Sequence, residues 1–166
     1  MPEIDYIYAP SKPLKVAQES TFDMQQLYKL GRAWFNKHGY DFYEKEYVSS
    51  QKEEAKNASI KWEAEKKVDD YIKFHIEARV KFKNLRDVQG KKKMMNTGEV
   101  SFSIEAYIEM DYEANWEKGF MSKFIRGVYD NFVIRGKIEK DKERLDREAK
   151  EFFHEIRTFL KCNPCK

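Results

Sequence analysis

Between Ile72 and Phe82 the chain alternates without a break. Ile72, Phe74, Ile76, Ala78, Val80 and Phe82 are apolar, and Lys73, His75, Glu77, Arg79 and Lys81 between them are polar. Successive side chains of a strand point to opposite faces, so this segment folds as a strand with one dry and one wet face. Val100, Phe102, Ile104, Ala106, Ile108 and Met110 repeat the pattern, with Ser101, Ser103, Glu105, Tyr107, Glu109 and Asp111 as wet partners. The wet residues of 71–84 are mainly basic and those of 97–112 mainly acidic, which suits neighbours in an antiparallel pair. The two segments are expected to form a hairpin with its tip in Asp87 to Asn96.

The strand before them is legible from register. Ile60 to Lys66 also alternates, and directly opposed residues share a face. A three-residue loop at 69–71 sets Val68 opposite Ile72, Trp62 opposite Ala78 and Ala64 opposite Ile76. A two-residue turn would pair Val68 with Tyr71 and break the alternation. Tyr40 to Ser50, rich in Tyr, Phe and Val, reads as a further extended segment. Glu3 to Tyr8 reads as a short strand with Ile4, Tyr6 and Tyr8 on one face, ended by Pro10 and Pro13.

Two other regions have the helical period. Met24, Leu27, Tyr28, Gly31, Trp34, Phe35 and His38 predict a helix over about 21–38, capped by Ser20 or Thr21 and stopped at Gly39. From Trp116 onward Phe120, Met121, Phe124, Ile125, Val128, Tyr129, Phe132 and Val133 make a wide apolar stripe. Gly136 is expected to break or kink the chain. A second helix over 137–160 carries Leu145, Ala149, Phe152, Ile156 and Phe159 at seam-like spacing.

These elements predict an α+β fold as a single domain over 1–166. An antiparallel sheet of about four to five strands is packed on one face by an N-terminal helix and long C-terminal helices. In outline the order resembles a helix-grip or START-like domain, in which a C-terminal helix closes over a curved sheet. The resemblance rests on element order.

Composition narrows the functional classes. Lys and Arg number 32 against 29 Asp and Glu, a net charge of +3, which argues against general nucleic-acid binding. The strand aromatics follow the dry period, whereas an RNA-binding sheet would expose them. No apolar run approaches the roughly 18 residues of a membrane span. The acidic start lacks the features of a secretion signal, and two cysteines make no disulfide framework, so a reducing cytoplasm is the expected compartment.

The candidate sites are few. Cys162 and Cys165 form a CxxC near the last residue of the sequence, where a tetrahedral metal site would need ligands from a second tail. The plain reading is a pair of incidental thiols. His75 falls on the wet face near Glu105, Tyr107 and Glu109, a catalytic arrangement only if a partner orients it. Lys91, Lys92 and Lys93 with Met94 and Met95 mark the hairpin tip, which reads as a solvated turn. No nucleotide, hydrolase or metalloprotease motif is present, so no cofactor is implied and nothing calls for an enzyme.

The leading expectation is a binding module for a small apolar ligand in a cavity between sheet and C-terminal helix. Trp34, Trp62, Phe74, Phe102 and Tyr129 are its candidate walls, and Ala64, Ala78 and Ala106 leave room between them. The alternative is an interaction protein that pairs through its C-terminal helix, including with its own copy.

Overall fold

The computed structural model describes residues 2–53, 55–112 and 135–161. Among them the chain forms β1 (Glu3–Tyr8), β2 (Leu14–Phe22), α1 (Met24–Lys37), β3 (Asp41–Lys52), β4 (Ala55–Lys67), β5 (Ile72–Gln89), β6 (Met94–Met110) and α2 (Arg135–Lys161). The strands make one antiparallel sheet in the order β1-β6-β5-β4-β3, and β2 also pairs with β6. This is the expected α+β class, with six strands where four or five were expected. No helix among the described residues is long and apolar enough to cross a membrane.

The register follows the alternation. Trp62 lies opposite Ala78 and Ala64 opposite Ile76. Val68 donates its N–H to the Ile72 carbonyl at 3.0 Å. Asp69 closes this loop, since its Oδ1 accepts from the N–H groups of Tyr71 and Ile72, each at 2.8 Å. The β5–β6 ladder runs from Ile72↔Met110 to Gln89↔Met94, which leaves Gly90 to Lys93 as the tip. Lys73 faces Glu109 and Lys83 faces Glu99, as charge complementarity predicts, but Glu77 faces Glu105.

Three local expectations need correction. The segment 14–22, unassigned in the sequence reading, is a strand. Its inward positions include Gln18 and Ser20, which hide the period, and Ser20 Oγ donates to the Leu160 carbonyl in the last turn of α2 at 2.5 Å. Ser20 therefore does not cap α1. Asp23 does, accepting from the Gln25 N–H at 3.0 Å, so the helix begins at Met24. In β1 the ladder shifts between Tyr6 and Tyr8, which turns Tyr8 inward to donate to Asp146 while Ile4 and Tyr6 stay exposed. Gly136 is the second described residue of α2, and the expected break before it lies outside the described residues.

The tip is latched to α1. Lys93 Nζ lies 2.5 Å from Asp23 Oδ2, and Asn96 Oδ1 accepts from the Met24 N–H at 3.4 Å. The Lys93 ammonium holds the Asp23 carboxyl below its ordinary value. A depressed folded-state pKa stabilises above the unfolded value of about 3.9, and that stabilisation is lost as pH falls through the folded one. Lys93→Gln is expected to move the Asp23 carboxyl titration upward in NMR and to flatten the acid limb of the stability profile. An unmoved titration would show that the latch is open in solution.

Both helices cover the same face. Gly31 lets α1 approach the sheet closely, because a Cβ there would stand 2.9 Å from the Trp62 ring. The α2 stripe of Leu145, Ala149, Phe152, Ile156 and Leu160 is buried within the single chain, so the stripe expected to seek a partner is already covered. The expected helix through Phe120 to Val133, and its continuity with α2, lie outside the described residues.

Candidate functional site

The alternation that builds the sheet also decides which side chains meet the helices. Trp62, Ala64, Phe74, Ala78, Phe102 and Ala106 all point to the covered face and are buried there. Trp34 joins them from α1. Phe152 of α2 lies at the junction, 4.8 Å from the Trp34 ring, 4.5 Å from Phe35 and 5.9 Å from Phe102. Trp62 meets Tyr28 at 5.5 Å and Phe42 at 5.8 Å. Seven of the eight expected wall residues thus lie in one aromatic layer. Tyr129 lies outside the described residues, as do Cys162 and Cys165.

That layer contains two indole groups with nothing to bond, and α2 carries a third such atom outside it. The indole N–H groups of Trp34 and Trp62 are buried without an acceptor, on residues 3% and 0% exposed. On α2, Asp141 occupies the inward stripe between Ile138 and Leu145, and its Oδ2 is buried without a donor. These three are the buried side-chain atoms without a partner among the described residues. Each unsatisfied group costs about 1–3 kcal/mol. Asp141 was missed in the sequence reading, although its place three residues after Ile138 and four before Leu145 was a usable signal.

A polar rim closes one side. Tyr40 Oη donates to Glu148 at 2.5 Å, Lys66 Nζ lies 3.1 Å from the same carboxylate, and Arg144 Nε lies 3.2 Å from it. Burial, and then the Glu148 charge, push the Tyr40 phenol far up. It therefore remains a neutral donor at all ordinary pH.

The other face of the sheet carries no described helix, and cavities open on it. One of about 260 Å³ is lined by Tyr43, Glu65, Glu77, His75 and Tyr107. His75 Nε2 lies 2.6 Å from Glu109 Oε2, and its ring stacks on Tyr107 at 4.6 Å. Tyr107 Oη donates to Glu77 at 3.3 Å. Burial, followed by the nearby Glu77, raises both the Tyr107 phenol and the Glu105 carboxyl. His75 has the oriented carboxylate partner that proton transfer needs. The surrounding carboxylates are largely matched: Lys45 lies 3.5 Å from Glu63, Lys61 3.2 Å from Glu77 and Lys73 3.7 Å from Glu65. The cluster is electrostatically closed. Among the described residues no group of three His, Cys, Asp or Glu side chains is placed to hold a metal ion.

Comparison with known protein families, characterised proteins and solved structures finds no significant match to this chain.

Proposed function

We propose that the chain is a binding module for a small, mainly apolar ligand held between the sheet and its covering helices. Trp34 and Trp62 are its polar contacts. One observation carries the reading: the indole N–H groups of Trp34 and Trp62 are both buried in this layer without acceptors. Pockets for small ligands are mostly apolar, with a few convergent polar groups that fix orientation. Here the apolar body of the ligand meets Phe102 and Phe152. A carbonyl or ether oxygen on the ligand accepts from an indole N–H.

Native mass spectrometry of protein purified from cells tests this, with Trp34→Phe and Trp62→Phe alongside. The expected result is extra mass that is released on denaturation. Its occupancy should fall about tenfold in either variant, since each removes one desolvated hydrogen bond. Asp141→Leu is expected to raise the unfolding free energy of the ligand-free protein by about 1–2 kcal/mol, because it replaces an unpaired buried oxygen with apolar contact. A bare mass in every preparation would overturn the reading.

A further inference from the structure

The open face of the sheet is electrostatically divided. At the His75 end, the ion pairs of Lys45, Lys61 and Lys73 fix each lysine to a carboxylate. At the opposite end Lys81 and Lys83 project from neighbouring outward positions of β5, and among the described residues neither has an ion-pair partner. Glu99 stands across the ladder from Lys83 without forming a pair; on that side of β5, Lys81 and Lys83 line a cavity of about 510 Å³ together with Lys15, Glu19 and Glu99. On the other side of β5, a cavity of about 320 Å³ is lined by Lys81, Lys83, Ser50, Ser59, Asn57 and Val48, and among the described residues no acidic one lines it.

We propose that this second cavity is a binding site for the phosphate group of a small phosphorylated molecule. Its polar lining is suited to donating. The two ammonium groups balance the charge of a phosphate monoester, about −1.5 to −2 at neutral pH. Ser50 and Ser59 add hydroxyl donors. Asn57 Oδ1 is already occupied, because it accepts from the Asn84 N–H at 3.0 Å, so its amide N–H₂ is the group free to donate. Val48 offers an apolar surface to the organic part. A volume of about 320 Å³ lies at the small end of ligand pockets, roughly 300–1,000 Å³, and fits a metabolite rather than a polymer.

The backbone supports the site. Both ladders that meet at this cavity slip there, between Lys56 and Ala58 and between Lys83 and Arg86. Asn84 takes a left-handed conformation with φ of 53°. Bulges re-aim side chains and recur beside functional sites. This one sets Lys83 and Asn57 at the rim of one cavity. The site is on the face opposite the aromatic layer, so it stands or falls independently of the ligand proposed there.

The test is titration of the whole chain with inorganic phosphate and with glycerol phosphate, followed by amide NMR. Sodium chloride at matched ionic strength is the control. Saturable shifts at Asn57, Ser59, Lys81 and Lys83 are expected with phosphate and not with chloride, and glycerol phosphate should bind more tightly. The double variant Lys81→Gln/Lys83→Gln should weaken binding about tenfold or more, and Lys15→Gln by less than about twofold. Both lysines are exposed, so the double variant keeps the fold, which its remaining resonances verify. Shifts that match chloride, an equal effect of Lys15→Gln, or no advantage for glycerol phosphate would each overturn the proposal. So would pelleting with phosphatidic acid vesicles without any response to glycerol phosphate, which would make the partner a lipid surface.

Discussion

Phe152→Ala is expected to lower the unfolding free energy by about 3–5 kcal/mol. The side chain is fully buried and its ring meets Trp34, Phe35 and Phe102, so one residue ties α2 to α1 and to β6. Removing it forfeits the transfer energy of the ring and leaves a cavity walled by other rings, which collapse poorly around a void. In a chain of this length each kcal/mol shifts Tm by about 2–4 °C, so the melting point should fall by about 10 °C. Urea unfolding should show a lower midpoint at an unchanged slope. Phe153, half-buried beside Phe102, gives the control, and Phe153→Ala should do much less. A loss below about 1 kcal/mol at Phe152 would mean that α2 is held elsewhere.

Gly98→Val is expected to destabilise by about 3 kcal/mol or more. A Cβ at Gly98 would lie 2.8 Å from the Lys83 carbonyl oxygen and 3.1 Å from both the Asn84 oxygen and the Leu85 Cα. These are backbone atoms, so none can swing away. β6 reaches the β5 bulge only because residue 98 has no side chain. Alanine should be intermediate, giving a graded Gly, Ala, Val series in chemical denaturation. An alanine variant as stable as the parent would show that the strands separate there without penalty. The series also bears on the open face, since the same bulge carries Lys83.

The parts of the fold that could be read from the chain were those with contrasting faces. β5 and β6 have a dry and a wet side, and for β5 that contrast and the loop at 69–71 set the register with β4 to the residue. β2 escaped because Gln18 and Ser20 take inward positions, and Ser20 is polar for a reason that lies 140 residues away, at the Leu160 carbonyl. The wall of the aromatic layer was readable for the same reason as the strands, since burial and periodicity are one signal. Asp141 broke the α2 stripe visibly, but an isolated acid in a stripe gains meaning only once its surroundings are known to lack a donor. Lys81 and Lys83 were read as two wet positions among many. Whether a lysine finds a carboxylate depends on bulges, and alternation does not encode those.

The sharing of one edge of β6 has a consequence for synthesis. β1 and β2 lie end to end along it, with Glu3 beside Met110 and Leu14 beside Ile104. The earliest segments of the sheet to leave the ribosome therefore pair with a strand made roughly a hundred residues later, a separation that slows folding. Until β6 emerges, the β3–β4–β5 meander can assemble by local hairpins while Leu14 to Phe22 waits unpaired. At roughly 5–20 residues per second that wait is several seconds, long enough for a holding chaperone to find it.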